Sequence, residues 1–351
     1  MRRHRRLSFT TAAVALTALA LAGCTRGTAP DQAAAKDQPS TVKIMVGGID
    51  KVIYLPAKLT EQLGYFKAEG LDVQLLSEPA GAQAENVLVS GDVEGVVGFY
   101  DHTVDLQSKG KCITSVVQLA KVPGEVEVVS AQQAGAITSA KDFAGKRLGV
   151  TSPGSSTDFL TRYMAVRAGL KTSDYTTVKA GAGQTFISAI SNGGIDAGMT
   201  TDPTVAQLLT TGKAKVLYDM RTEQGTQAAL GGLYPAASVY MDCSFVQENP
   251  QTVQKLVNAF VRTLQWISTH DAEQIATKMP ADYGKGDPAL YAKAIADSMP
   301  MFTSDGRMPA EGPGNVLRVL ASFNETVIAK KDTIDLSQTY TTSFVDAAPA
   351  E

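Results

Sequence analysis

Three short patterns occur twice along this chain, in the same order and at nearly the same separation. The strand-like run Val42–Val46 returns as Arg147–Thr151, Leu71-Asp72-Val73 as Tyr175-Thr176-Thr177, and Gly91-Asp92-Val93-Glu94-Gly95 as Gly193-Gly194-Ile195-Asp196-Ala197. The separations are about 105, 104 and 102 residues, so the patterns point to two similarly built lobes. A cleft between two lobes is the natural place for a ligand.

Between the patterns the periodicity alternates. Runs with strand character fall at 41–47, 71–76, 95–99, 113–119 and 126–130, then again at 147–151, 176–179, 196–199 and 215–218, with helical spacing between them. That alternation is the signature of an α/β fold. After a short strand within 233–243, a long helix is expected from Pro250, with Asn249 as its N-cap. Its apolar stripe is Val253, Leu256, Val257, Phe260, Val261, Leu264 and Ile267. Trp266 lies off that stripe and is not assigned to a site. Residues 315–328 read as one more amphipathic helix.

The first residues carry a different message. Arg2, Arg3, Arg5 and Arg6 precede an apolar run from Phe9 to Leu21 that ends in Leu21-Ala22-Gly23-Cys24. The run is too short to span a bilayer and fits a secretion signal, 1–23, cleaved before a lipidated Cys24. Arg5-Arg6 leaves Sec and twin-arginine export both open. Residues 24–40 are small, polar and Pro-containing, the composition of a tether. The chain is therefore expected outside the cell membrane, held by lipid through Cys24 to its outer face.

Removing 1–23 takes away four arginines and no acids, which moves the formal charge from −3 to −7. No basic face for nucleic acid is implied. The remaining chain is long enough for two cored lobes, and 44% hydrophobic with 19% charged residues is ordinary for a globular body.

Gly64-Tyr65-Phe66-Lys67-Ala68-Glu69-Gly70-Leu71-Asp72-Val73 resembles the nitrate, sulfonate, taurine and thiamine-precursor binding proteins of ABC importers. The resemblance continues through residues 143–150, Gly154-Ser155-Ser156-Thr157, residues 192–197 and Asn249-Pro250, and covers about 41–270 in order. It implies a type II periplasmic-binding-protein fold: lobe 1 from 41–122 plus 235–351, lobe 2 from 125–230, and two hinge crossings near 122–125 and 230–235. It also implies a small-molecule solute, an ABC permease with its ATPase as partner, and a monomer. In the implied fold the strand returning from lobe 2 ends beside the strand that starts near Cys112, so Cys112 and Cys243 are expected to form a disulfide.

Ser152-Pro153-Gly154-Ser155-Ser156-Thr157 follows a strand and opens a helix. Unpaired N–H groups and hydroxyls converging there suit an anionic group, whereas the residues alone are equally those of an N-cap. With the resemblance, Gly154, Ser155, Ser156 and Thr157 become ligand candidates. Open α/β lobes bind at the carboxyl ends of their strands, which adds Asp50, Tyr54, Tyr100, Asp101, His102, Thr201 and Asp202. Tyr54 and Tyr100 are either a clasp for a planar ligand or wall packing.

His102 beside Asp101 is either a structural pair or a ligand contact. No ligand cluster at metal spacing, no P-loop and no nucleophile with an evident base is present, so no metal, no cofactor and no enzymatic activity are expected. The alternatives are a sensor subunit for a membrane receptor and an enzyme on the same fold. The serine-rich helix start asks for an anion while Asp50, Asp101 and Asp202 bring carboxylates, so a zwitterion, an amine-bearing sulfonate or a heterocycle with N–H donors is the favoured solute.

Overall fold

The structure is a computed structural model and describes residues 40–284 and 286–349. The signal, Cys24 and nearly all of the tether lie outside the described residues.

Among the described residues, ten strands form two five-stranded sheets. The strands are β1 (Ser40–Val46), β2 (Leu71–Ser77), β3 (Gly95–Phe99), β4 (Ile113–Gln118), β5 (Glu125–Ser130), β6 (Arg147–Val150), β7 (Thr176–Lys179), β8 (Ala197–Thr201), β9 (Ala214–Asp219) and β10 (Ala237–Asp242). One sheet has the order β2-β1-β3-β10-β4 and the other β7-β6-β8-β5-β9. The repeated patterns thus mark equivalent strands: β1 with β6, β2 with β7, β3 with β8.

In each sheet one strand runs against its neighbours. It is β10 in the first, with Ala237 opposite Phe99, and β5 in the second, with Glu125 opposite Thr201. Both are the strand by which the chain enters a sheet from the other lobe. The two crossings, 119–124 and 231–236, run side by side. Leu119 and Ala120 N–H both donate to Ala237 O, and Ala236 N–H donates to Ala120 O. Buried Gln118 adds Nε2 bonds to Ala120 O at 2.7 Å and Ala237 O at 3.0 Å. A buried amide of this kind fixes the crossings because water cannot replace its bonds.

β3, β4 and β5 are buried along their whole length, as strands must be when helices cover both faces. The expected stripe of the helix Pro250–Ser268 is buried in full, each side chain contributing roughly 1.5–3 kcal/mol relative to exposure. Phe260 meets Phe66 edge-on at 5.4 Å. Off the stripe, Trp266 stacks on His270 at 3.7 Å.

Two local expectations differ. Asn249 holds the N-cap position of the long helix, its C=O accepting from Val253 N–H, but its side chain makes no capping bond: Nδ2 donates back to Phe245 O, because the helix Cys243–Glu248 ends immediately before it. Residues 315–328 form two helices, Gly312–Leu320 and Glu325–Lys330, since Asn324 accepts from Thr326 and Val327 N–H and starts a new helix. Cys112 and Cys243 are joined as a disulfide with Cα atoms 5.5 Å apart, and Cys243 N–H donates to Cys112 O.

Candidate functional site

Between the sheets lies a small, nearly closed cavity of about 10 Å³. Lys51, Tyr54, Gly81 and Phe99 line it from the first lobe, and Glu125, Thr151, Ser155, Ser156, Thr157 and Thr201 from the second. The positions follow from topology: they sit at or just past the carboxyl ends of β1, β2, β3, β6 and β8 or at the start of β5, where both lobes converge. The helices Gly81–Ser90 and Ser156–Arg167 both open on the cleft.

The lobes touch across it. Ala82 N–H donates to Ser155 Oγ at 3.1 Å, Ser156 Oγ donates to Asp101 Oδ1 at 2.8 Å, and Val52 N–H donates to Asp202 O at 3.0 Å. Thr157 turns inward instead: its Oγ1 accepts from Thr151 N–H at 3.0 Å and fixes the strand-to-helix turn. Gly154, at φ 82°, donates to Asp158 Oδ2 at 2.9 Å. Ser155 thus holds the N-cap position of the helix Ser156–Arg167 without a side-chain capping bond, and its hydroxyl faces the cleft instead.

The other expected positions separate. Tyr54 lines the cavity and meets Phe99 edge-on at 6.4 Å, 82° apart. Tyr100 points away, bonding Thr339 and packing edge-on against Tyr340. Asp50 is exposed. Asp101 is buried and accepts from Ser156 and from Tyr234 OH at 2.8 Å; burial raises its pKa despite His102 and these donors. Asp202 precedes cis-Pro203 and is buried among Arg221 Nη1 at 3.0 Å, Ser298 Oγ at 2.9 Å and Ala206 N–H at 3.0 Å. Arg221 also holds Asp219 and lies 3.5 Å from Asp297, so this network ties the second lobe to the helix Pro288–Ser298.

His102 lies beneath the cleft, fully buried, with Nδ1 2.6 Å from Glu85 Oε2. Burial would lower its pKa; the Glu85 carboxylate, together with Asp101 and Asp105, outweighs that and lifts it to about 9. Its Nε2 is 2.8 Å from where a β-carbon at Gly81 would stand, so position 81 has room only for glycine.

Sequence reasoning missed Lys51, Gly81, Phe99, Glu125 and Thr151. Lys51 Nζ donates to Gly47 O at 2.6 Å and Pro79 O at 3.2 Å, and burial lowers its pKa to about 8 although Asp50 and Glu125 oppose the shift. Glu125 is 2% exposed, Oε2 has no partner among the described residues, and burial, with Asp101 nearby, raises its pKa well above the carboxylate range. An acid in alternation with valines at the start of a crossing strand was the available signal.

Residues 54–274 match the sequence profile of the family described as NMT1/THI5 like. The chain belongs to this family. A solved structure from Bordetella bronchiseptica RB50 is 34% identical, with a TM-score of 0.83 over 88% of this chain and 97% of that one. The alkanesulfonate-binding protein SsuA from Xanthomonas axonopodis pv. citri, bound to MOPS, is 17% identical with a TM-score of 0.70, over 87% and 99% of the two chains. The fold is thus the two-lobed α/β fold of periplasmic binding proteins.

Among curated relatives of the NMT1/THI5-like chain, the 4-amino-5-hydroxymethyl-2-methylpyrimidine phosphate synthase of Aspergillus parasiticus is 27% identical. That match spans 62% of this chain and 64% of the relative, less than two thirds of its length. Relatives from other fungi carry the same name. This corrects the expectation of no enzymatic activity, because these relatives are named as an enzyme. The reasoning behind it sought a Ser or Cys nucleophile with a base, and a synthase of a heterocycle is under no obligation to use one.

Proposed function

We propose that the chain is an extracytoplasmic solute-binding lipoprotein, anchored through Cys24 to the outer face of the cytoplasmic membrane, that closes on a small polar organic solute and delivers it to an ABC permease and its ATPase. Residues 41–122 with 235–351 form one jaw and 125–230 the other. The observation that carries this reading is the cleft itself: hydroxyls at a helix start on one lobe face two rings set at right angles and a buried lysine on the other. Tyr54, Ser155, Ser156, Thr157 and Thr201, with Lys51, are the contacts, and the solute is a sulfonate, an amine-bearing anion or a pyrimidine-like heterocycle.

A melting screen of the protein against sulfonates, nitrate, amino acids and pyrimidines tests it. A solute at 100 times its Kd stabilises by about 2.7 kcal/mol, a rise of several degrees. No shift with any of them, after refolding to strip carried-over solute, counts against the reading.

A second reading follows the names of the fungal relatives: formation of a pyrimidine phosphate at this cleft. Mass-spectrometric appearance of a new pyrimidine in turnover mixtures would favour it, and silence there alongside a melting shift would favour capture.

A further inference from the structure

Four carboxylates approach the cleft, and three are accounted for. Asp50 is exposed, Asp101 is bonded to Ser156 and Tyr234, and Asp202 to Arg221, Ser298 and the backbone of Ala206. Glu125 alone lines the cavity with an oxygen that has no partner among the described residues. Lys51 favours the charged form of Glu125 electrostatically, but the hydrogen bonds of Lys51 Nζ go to two backbone carbonyls, Gly47 O and Pro79 O.

A buried carboxyl group without a partner is costly, and closing on a solute makes the site drier still. Burial favours its neutral form, a cationic nitrogen restores the carboxylate, which then repels anions, and an apolar group leaves it unpaired in either form. A nitrogen carrying N–H donors satisfies it, and a cationic nitrogen does so most strongly. The rings of Tyr54 and Phe99, together with the hydroxyls of Ser155, Ser156 and Thr201, are then left for the rest of the solute.

We infer that Glu125 is the specificity-determining residue of the cleft: it takes an amine or amidine nitrogen of the solute and turns the site against sulfonates and oxyanions that lack one. The inference rests on the solute-binding reading and narrows the class of solute within it.

Calorimetry on the full-length protein with two matched pairs tests it: taurine against 1-propanesulfonate, and 4-amino-2-methylpyrimidine against 2,4-dimethylpyrimidine. Each pair has the same frame with and without the nitrogen donor. The nitrogen-bearing member of at least one pair is expected to bind about 10-fold or more tighter. Glu125→Gln, nearly isosteric, is expected to weaken that member by about 10–100-fold and to change its partner by less than about 3-fold. Unchanged melting of the unliganded variant separates this loss from misfolding, and the wild-type pair comparison needs no variant at all. Equal binding within both pairs, or an unchanged preference in the variant, overturns the role of Glu125 and leaves solute binding standing. Only silence of the wild type across the wider melting screen bears on binding itself.

Discussion

Asp101 and Asp202 occupy matching places, just past the ends of β3 and β8 in the two sheets. Each accepts a hydrogen bond from a serine of the opposite lobe, Ser156 for Asp101 at 2.8 Å and Ser298 for Asp202 at 2.9 Å. The rest of their surroundings differ. Asp202 has the guanidinium of Arg221 and a backbone N–H; Asp101 has the phenol of Tyr234. Burial raises the pKa of both; His102 and the two hydroxyl donors work against that at Asp101, and Arg221 does so at Asp202. One junction between the lobes is ionic, and the other is held by hydroxyls at the cleft itself.

If that contrast is right, Arg221→Met should be the most damaging change. It leaves Asp202 buried without its cation and should cost about 3–5 kcal/mol in urea unfolding; a cost below 1 kcal/mol would erase the difference between the junctions. Buried acids without a cation should also make themselves felt through pH. Glu127, fully buried, is pushed up by burial to about 8, with the Thr161 hydroxyl opposing the shift.

Its folded pKa lies above the unfolded value, so the folded state holds the extra proton and stability falls as pH rises from the carboxylate range towards 8. The protein should lose on the order of 1–3 kcal/mol between pH 5 and 8, and Glu127→Gln should flatten that slope. Smaller again is Ser156→Ala, expected at about 1 kcal/mol because Asp101 keeps only Tyr234 as a hydroxyl donor. Ser298→Ala should cost less than about 0.5 kcal/mol, since Arg221 and Ala206 N–H remain to Asp202. The reverse order of the two serine variants in melting experiments would overturn the contrast.

The sheets were legible because strands covered on both faces leave dense apolar runs, and because the two halves repeat. β3 and β7 lie where the periodicity puts them, and the stripe of the helix Pro250–Ser268 is buried as its spacing implies. The cleft was legible only as a set of loops. Which side chains of a loop turn inward depends on the neighbours they meet: Tyr100 finds Thr339 and Tyr340, 239 and 240 positions further along the chain, and so leaves the cleft. Lys51 and Glu125 went unnoticed because charged residues at strand ends are usually solvated, and nothing local announces that the opposite lobe will bury them. The break at 321–324 was missed because an asparagine inside an apolar period does not disclose whether its side chain caps or faces water.

The disulfide has a mechanical meaning. It bonds the residue before β4 to the residue after β10, at the end of the first sheet remote from the crossings. All of the second lobe thus lies within one covalent ring, and the two strands that carry its load are clamped at their far ends. Neither can slip along the other, so any swing of the second lobe has to be taken up by bending in 119–124 and 231–236, beyond the clamp, like the free end of a tuning fork. Unfolded, the same ring still binds the lobe to its base. On loop length alone, its closure removes roughly 4–5 kcal/mol of freedom from the disordered chain, and a reductant returns that freedom while leaving every contact at the cleft in place.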